Sequence, residues 1–348
     1  MGMSSSTLEE TVCITGATGY IAAFVVKLAL EHGYKVRGTV RSLANEDKLR
    51  HLRELPGADE RLELVEADLN DPSNFKTVLE GCKYLLHTAT PIVIRPFEHE
   101  EDMYANQINP AVDGTKAIVE AAVEAGVEKV VLTSSVAAMM GHATPPAALD
   151  ENTWSDEEFL KGALSASPMM PYFYAKTAQE KVFWETTKKH GIKAATICPH
   201  LVVGPALTPK LNDSNAMLLN VVAGKGSPFQ ESPEGTIPDG TLGMVDVREV
   251  AQAHVLAMEK DVANGRRYLL FSHNVHCQDI ATVMRDADPA VAAKYPELPL
   301  ETADKQRHNT QGMGFDVAPV RELGVEEISW QDSLTEAARM TVPYLADL

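Results

Sequence analysis

The fold is decided by residues 11–24, which read TVCITGATGYIAAF. A short β-branched run comes first, Gly16 and Gly19 follow it directly, and helical apolar spacing continues over residues 20–32. In a strand–turn–helix unit of this kind, the first glycine permits a tight turn and the second lets the backbone approach a pyrophosphate at the helix N-terminus. The spacing is G-x-x-G-x-x-A, with Ala22 where a third glycine would allow close helix–strand packing. The stretch therefore predicts a dinucleotide-binding unit.

The same alternation of strand and helix continues along the chain. Predicted strands cover residues 11–15, 35–40, 62–66, 84–87, 129–133 and 194–199, and the clearest helices cover 20–32, 110–125 and 171–190. Six strands alternating with helices predict an α/β fold, a Rossmann-type doubly wound parallel sheet with helices on both faces. The proline-rich residues 141–171 are too long for an ordinary connection and predict a lid, a pocket wall or a mobile surface loop.

Beyond residue 200 the alternation degrades into shorter elements. We therefore expect residues 1–199 to form mainly the dinucleotide-binding domain. Residues 200–348 are expected to form mainly a smaller, mixed α/β lobe that binds substrate. A helix near residues 245–258 is expected to pack back on the first domain.

Composition excludes several classes of function. The chain has 348 residues, of which 45% are hydrophobic, and its net charge of −18 argues against binding nucleic acid or anionic membranes. No apolar run approaches a membrane span, and the N-terminus has no secretion-signal pattern. The four cysteines are widely spaced and the histidines show no ligand spacing, so we expect reduced thiols, no metal and a cytoplasmic protein. A monomer and a homodimer both remain open.

The end of the second predicted strand indicates which dinucleotide is bound. An enzyme selective for NAD places an acidic residue there for the ribose hydroxyls. Here Arg41 occupies that place, Ser42 follows, and no acid appears until Glu46. Arg41, with Lys48 nearby, suits a 2′-phosphate and predicts NADP(H); the alternative is that Arg41 is a solvated surface charge.

Further polar residues follow the other strands. Asp68, after the third strand, can accept a hydrogen bond from an adenine amino group or cap the next helix. The loop of residues 88–91 ends in proline and lies where ligands bind in doubly wound sheets. Ser134 and Ser135 leave the end of the fifth strand, where a hydroxyl can hold a substrate oxygen.

A tyrosine and a lysine form the candidate catalytic pair. Tyr172 and Lys176 stand four apart on the helix predicted for residues 171–190, so they share one face. A lysine ammonium beside a phenol lowers the pKa of the phenol, which then suits general acid–base catalysis near neutral pH. The alternative is that they are ordinary surface neighbours.

These features together resemble the extended short-chain dehydrogenase/reductases. Within them, the chain is most similar to the branch that holds dihydroflavonol reductases, cinnamoyl-CoA reductases and microbial aldehyde and ketone reductases. The matching stretches are TGATGYI (15–21), GYKVRGTVR (33–41), HTATP (87–91), LTSS (132–135) and LVVGP (201–205). The resemblance runs from residue 11 to about residue 254.

The resemblance implies roles for the catalytic residues. Tyr172 would donate a proton to the carbonyl being reduced, and Lys176 would lower the pKa of that tyrosine and hold the nicotinamide ribose. Ser135 would hydrogen-bond the carbonyl oxygen, with Ser134 in reserve because successive strand residues face opposite ways. Tyr174, on another face of the helix, is expected to pack in the core.

The resemblance and the motifs together give a cofactor site. Its expected residues are Gly16, Thr18, Gly19, Tyr20, Ile21, Arg41, Lys48, Asp68, Leu69, Thr88, Ala89, Thr90, Thr133, Tyr172, Lys176, Pro199 and Val202. Met140 and the segment Met169-Met170-Pro171 depart from the plant enzymes' patterns, so neither plant pathway substrate is supported. Methionine adapts instead to varied apolar groups.

The expected function is NADPH-dependent reduction of an aldehyde or ketone to the alcohol. Alternatives are a hydroxysteroid dehydrogenase, a sugar-nucleotide epimerase or dehydratase, and a non-catalytic NADP-sensing regulator. The sugar-nucleotide enzymes need a cluster of Arg and Lys for a second pyrophosphate, which the pocket half of this sequence does not show. Sensing regulators typically lose the tyrosine–lysine pair, which this chain keeps.

Overall fold

A computed structural model describes residues 9–69, 71–93, 96–208, 210–226, 236–295 and 314–345. The strands are β1 Thr11–Ile14, β2 Lys35–Val40, β3 Leu62–Glu66, β4 Tyr84–His87, β5 Lys129–Thr133, β6 Ala148–Leu149, β7 Lys193–Pro199, β8 Leu201–Val203, β9 Thr241–Asp246, β10 Arg266–Leu270, β11 His273–His276 and β12 Gly314–Phe315. The α-helices are α1 Tyr20–Glu31, α2 Glu46–Arg53, α3 Ala58–Arg61, α4 Phe75–Leu79, α5 Glu100–Met103, α6 Asn109–Glu124, α7 Ala137–Met140, α8 Glu157–Gly162, α9 Met170–His190, α10 Asp213–Val222, α11 Val247–Glu259, α12 Cys277–Asp286, α13 Pro289–Lys294, α14 Ala318–Leu323 and α15 Trp330–Thr341. A π-helical turn, Tyr104–Ile108, leads into α6, and short 3-10 turns cover Pro72–Asn74, Asp261–Ala263 and Val342–Tyr344.

The main sheet has seven parallel strands in the order β3-β2-β1-β4-β5-β7-β10. The predicted Rossmann-type sheet is therefore confirmed, with β10 as a seventh strand beyond the six that were predicted. The chain reverses its direction of travel across the sheet between β1 and β4, which is where doubly wound sheets bind their ligands. The carboxyl ends of all seven strands meet at one edge.

Each face of the sheet is covered by helices. On one face, Val12 and Ile14 of β1 pack with apolar residues of α1 and α11, including Val25 and Val250. On the other, Cys13 packs with residues of α4, α6 and α9. Because alternate strand residues face opposite sides, a nearly continuous apolar strand suits a sheet that is buried on both faces.

A smaller lobe follows the sixth strand of the sheet. In it β9 pairs in parallel with β8 and antiparallel with β11, and α10, α12 and α15 enclose a second apolar core. The helix predicted from residue 245 begins instead at Val247, because Asp246 still belongs to β9 and its carboxylate caps the helix by accepting from the Arg248 N–H. Helix α11 packs against α1, on the main sheet.

The predicted irregular segment, residues 141–171, contains two short elements. Strand β6 pairs with β12, and α8 is capped by Asp156, whose side chain accepts from the Phe159 N–H. The capping aspartate was visible in the sequence, but a six-residue helix has too little apolar periodicity to predict.

Some properties concern the described ranges as a whole. No helix within them has the length and apolar character needed to cross a membrane. The part of the chain that the structure describes brings together no group of three or more His, Cys, Asp or Glu side chains that could hold a metal ion. Cys13, Cys82, Cys198 and Cys277 are all buried and free of disulfides.

Candidate active site

The glycine turn joins β1 to α1 and leaves backbone N–H groups open. Gly16 has a φ of +65°, and a Cβ there would lie 3.0 Å from the Cβ of Ala89, so only glycine fits this close approach. The turn is closed by the Gly19 N–H, which donates to the Gly16 carbonyl at 2.8 Å. Gly19 precedes the twelve-residue α1 and provides no side-chain cap. The first N–H groups of that helix are therefore available to an anion, as a dinucleotide pyrophosphate requires.

Tyr20 and Ile21 open α1, but their side chains pack against the core of the sheet. We infer that these two predicted cofactor residues contribute backbone N–H groups only. Thr18 lies half-buried in the turn before them.

The loop after β4 is fixed to the glycine turn by Thr15. The hydroxyl oxygen of Thr15 accepts from the N–H groups of Thr88 and Ala89 at 3.1 and 3.0 Å, and the Thr88 hydroxyl donates to the Thr15 carbonyl. Thr90, two residues later, accepts a hydrogen bond from the Lys176 Nζ at 3.1 Å. The predicted residues of this loop thus connect the glycine turn to helix α9.

The residues predicted to bind the 2′-phosphate lie after β2 and at the start of α2. Arg41 directly follows β2 and is exposed, and Lys48 is exposed on the first turn of α2. Glu66, the last residue of β3, accepts from the Leu43 N–H at 2.6 Å. Asp68 and Leu69 follow β3 and are half-buried, with Leu69 against Gly114 of α6. The open N–H groups, the glycine cradle and the exposed cations fit a dinucleotide that carries a 2′-phosphate.

Ser135 and Tyr172 meet at the same edge of the sheet. Ser135 follows β5 and Tyr172 lies in the first turn of α9, and the Ser135 hydroxyl is near enough to the phenol to affect its pKa. Burial raises the pKa of Tyr172 above its ordinary value, and the Ser135 hydroxyl acts against that rise. Tyr172 is therefore fully protonated at neutral pH, the form that can give a proton to a substrate.

Lys176 lies one turn further along α9 and is buried. Its ammonium donates to the Thr90 hydroxyl at 3.1 Å, the Thr133 carbonyl at 3.1 Å and the Gln179 Oε1 at 3.0 Å. Burial lowers the pKa of Lys176 to about 8, so the side chain is still mainly charged at pH 7. The predicted lowering of the Tyr172 pKa by this lysine is not found, because the hydrogen bonds of the ammonium go to other groups and burial dominates at the phenol.

Ser134 faces away from this site. Its hydroxyl donates to the Glu180 Oε2 at 2.7 Å, and Glu180 is in turn paired with Arg267. The two serines therefore point to different partners, as the alternation of strand residues predicts. The geometry favours Ser135 as the residue that faces the substrate.

We predict that Ser135→Ala lowers kcat strongly and Ser134→Ala much less. The Ser135 hydroxyl acts on the Tyr172 phenol, whereas the Ser134 hydroxyl bonds Glu180, and its removal leaves that carboxylate with its other donors. Steady-state kinetics on both variants check this, and each variant is the other's control. The reverse order of effects would contradict the assignment of Ser135.

The remaining residues that were predicted to bind the cofactor are Thr133, Pro199 and Val202. Thr133 offers its carbonyl to Lys176, but its hydroxyl is hydrogen-bonded to His254 Nε2 at 2.6 Å, in α11. Pro199 ends β7 at the edge where the site lies, and its carbonyl accepts from the Val136 N–H. Val202 is 7% exposed and packs with the core that α1 and α11 share.

Two sets of residues at the site were missed by sequence reasoning. Gln179 stands three residues after Lys176, and that helical spacing was the available signal. Glu180 and Arg267 form a buried ion pair beneath Ser134, although they are far apart in sequence. No local pattern indicates such a pair.

The chain is similar to known proteins over most of its length. The sequence model of the NAD dependent epimerase/dehydratase family matches residues 12–270. Cinnamoyl-CoA reductase 1 of Arabidopsis thaliana is 38% identical over 339 residues, which are 96% of this chain and 90% of that protein. The crystal structure of vestitone reductase from alfalfa (Medicago sativa) has a TM-score of 0.76 at 28% identity and covers 97% of this chain and 99% of its own. The structure of yeast methylglyoxal/isovaleraldehyde reductase Gre2 complexed with NADPH has a TM-score of 0.79 at 25% identity and covers 97% of this chain and 100% of its own.

Proposed function

This chain belongs to the NAD dependent epimerase/dehydratase family, and from that premise we propose that it reduces an aldehyde or ketone to the alcohol with NADPH, with Tyr172 as the proton donor. The named relatives are reductases, which supports an oxidoreductase acting on carbonyl groups and does not favour the epimerase, dehydratase or sensor alternatives. The observation that carries the proposal is the grouping of Ser135, Tyr172 and Lys176 at the carboxyl edge of the sheet, with Ser135 acting on the Tyr172 phenol and Lys176 one helical turn away.

The roles of the residues follow from their positions. The Ser135 hydroxyl holds the carbonyl oxygen of the substrate, beside the phenol of Tyr172. Tyr172 gives its proton to that oxygen while the carbonyl carbon is reduced. A general acid placed in this way contributes about two to four orders of magnitude in rate. NADPH, when bound, supplies the hydride.

Lys176 is proposed to act through its positive charge. Its ammonium lies beside the Thr88–Thr90 loop, where it adds a positive charge at the inner end of the cofactor site. The site loses this charge as pH rises through the pKa of about 8. We therefore expect the reductase rate to fall above that pH.

The substrate is proposed to be a small carbonyl compound with an apolar substituent. Met140 and Met170 are half-buried near the carboxyl edge of the sheet, and methionine side chains adapt to apolar groups of differing shape. Residues 1–199 are proposed to bind mainly the dinucleotide and residues 200–348 mainly the substrate, in a monomer or a homodimer. Four buried cysteines without disulfides support a cytoplasmic location.

The function is tested by following NADPH oxidation with a panel of carbonyl compounds. The panel contains aromatic and aliphatic aldehydes, α-ketoesters and ketosteroids. We expect NADPH to be consumed with at least one class and the matching alcohol to form. No consumption with any class would contradict the proposed function, and activity confined to ketosteroids would favour a hydroxysteroid dehydrogenase.

Arg41→Ala is predicted to raise the KM for NADPH at least about tenfold and to leave the KM for NADH nearly unchanged. A guanidinium binds a 2′-phosphate through charge-assisted hydrogen bonds, each worth about 1.5–3 kcal/mol, or roughly one to two orders of magnitude in affinity. Arg41→Asp should invert the preference, because a carboxylate repels the phosphate and accepts from ribose hydroxyls.

Arg50→Ala is the matched control for Arg41, since Arg50 is an exposed arginine nearby on α2 that is paired with Asp47 at 2.6 Å. It should change neither KM. If wild-type protein uses NADH as well as NADPH, Arg41 is a solvated surface charge and this prediction is wrong.

A further inference from the structure

Gln179 is a buried amide that contacts the catalytic lysine directly. It lies on α9 one turn after Lys176 and is only 1% exposed. Its Oε1 accepts from the Lys176 Nζ at 3.0 Å. Its Nε2 donates to the hydroxyls of Thr90 at 3.1 Å and Thr115 at 2.8 Å. The carbonyl and both protons of the amide therefore have partners, which fixes its orientation.

The contacts of Gln179 continue to the glycine turn. The Thr115 hydroxyl also lies 3.2 Å from His87 Nε2, and His87 Nδ1 lies 2.9 Å from the Thr15 hydroxyl. Burial, together with the charge of Lys176, lowers the pKa of His87 to about 3, so this histidine is neutral and adds no charge. An unbroken chain of buried hydrogen bonds thus joins Lys176 to the residue that fixes the glycine turn.

We propose that Gln179 is a positioning residue, which holds the Lys176 ammonium in place for the reaction and fixes it relative to the glycine turn through Thr115 and His87. The inference rests on the proposed function, because it gives Lys176 a role in reduction. Glutamine suits the position since one group must accept from an ammonium while donating to two hydroxyls. Alanine removes all three hydrogen bonds, and a carboxylate keeps the acceptor but loses both donors.

The charged and titratable groups around Lys176 set the background for a test. Glu180 on α9 and Cys198 on β7 act to raise the pKa of the lysine, against the larger effect of burial. His87 on β4 is neutral, and Tyr172 is protonated. Near neutral pH, a substitution at residue 179 therefore changes the surroundings of Lys176 while the charges of the other groups around this lysine stay the same.

The experiment compares Gln179→Ala and Gln179→Glu with wild type over pH 6–10 and measures kcat, the KM for the carbonyl substrate and, by fluorescence, the Kd for NADPH. We expect Gln179→Ala to lower kcat and to weaken NADPH binding, each by about tenfold, which is the size of one lost hydrogen bond to a charged group. In Gln179→Ala, the decrease in kcat and in NADPH affinity at alkaline pH should begin at a lower pH than in wild type. In Gln179→Glu both should move to higher pH, because a carboxylate stabilises the ammonium.

Thr177→Val is the matched control. Thr177 is buried beside Lys176 on the same helix, and its hydroxyl only bonds back to the Phe173 carbonyl. It should leave the pH profile unchanged. Structural damage alone would lower activity in both Gln179 variants, but it would not move their pH profiles in opposite directions. The inference would be overturned if both profiles moved in the same direction. It would also be overturned if Gln179→Ala behaved like wild type.

If the proposed function is wrong, the experiments give a different result. In that case wild-type protein oxidises no NADPH with any carbonyl in the panel. The pH dependence of the NADPH Kd, which needs no turnover, still decides whether Gln179 positions Lys176.

Discussion

Tyr172→Phe is expected to lower kcat by about two to four orders of magnitude while leaving the affinity for NADPH close to that of wild type. The phenyl ring keeps the packing of the tyrosine, including its edge contact with Phe173 at 6.4 Å between centroids. Only the hydroxyl is lost, which carries the proton that the reaction needs. Single-turnover and steady-state rates, with a separate measurement of the NADPH Kd, distinguish loss of the proton donor from loss of cofactor.

Tyr174→Phe is the control for this prediction. Tyr174 packs edge-on against Tyr104 at 6.3 Å and belongs to the apolar cluster around Met103 and Leu164, as core packing predicts. Because Tyr174 packs in this cluster rather than acting as the proposed proton donor, the rate should remain near that of wild type. A large loss in Tyr174→Phe with normal turnover in Tyr172→Phe would mean that the wrong tyrosine has been assigned.

The main sheet and its ligand-binding edge were predictable because their signals are local. The run that leads into Gly16 predicts a strand and a turn by itself, and β2, β3, β4 and β5 occupy the predicted residues. Parallel strands that are buried on both faces read as short apolar runs, and turn residues bound them clearly. Family resemblance then supplied the chemistry that a fold alone does not give.

Strand β10 shows where local signals fail. It begins with Arg266 and Arg267, two charges that indicate an exposed segment by ordinary patterning. Arg267 is nevertheless 6% exposed, because Glu180 neutralises it from α9. That compensation joins residues 87 positions apart, and only the three-dimensional structure reveals it.

The protonation behaviour of the proposed catalytic groups could not be predicted from the sequence either. Spacing placed Tyr172 and Lys176 on one helix, but not the direction of their pKa shifts, which burial controls. The contact of Ser134 with Glu180, which favours Ser135 for the proposed role, was likewise not visible in the sequence. Side-chain partners depend on packing between elements, which periodicity does not encode.

The buried ion pair of Glu180 and Arg267 lies beside Ser134, the residue that follows β5. Arg267 Nε and Nη2 donate to the two oxygens of Glu180 at 2.7 and 3.1 Å, and the guanidinium stacks 3.7 Å from the ring centroid of Trp154. Hydroxyls of Ser134 and Thr196 also donate to the carboxylate, each at 2.7 Å. Burial acts to raise the pKa of Glu180, but Arg267 and these donors hold it below its ordinary value.

We predict that Arg267→Met lowers the free energy of unfolding by about 3–5 kcal/mol at pH 7, because it leaves the buried Glu180 carboxylate without its counter-charge. A depressed carboxyl pKa contributes stability above the unfolded-state value of about 4.3 and loses it as pH falls through the folded-state value. In the variant, burial raises the pKa of Glu180 instead. The deficit should therefore be largest at neutral pH and shrink as pH approaches about 4.

Denaturant unfolding of wild type and Arg267→Met at pH 7 and at pH 4.5 measures this difference. Glu180→Gln combined with Arg267→Met should recover part of the loss, since no buried charge remains unpaired while the amide oxygen still accepts from Ser134 and Thr196. Lys193→Met breaks a solvent-exposed pair with Asp261 next to the same strand and should leave the unfolding midpoint unchanged. An equal deficit for Arg267→Met at both pH values, with no recovery in the double variant, would mean that lost packing on Trp154 rather than an unpaired charge causes the damage.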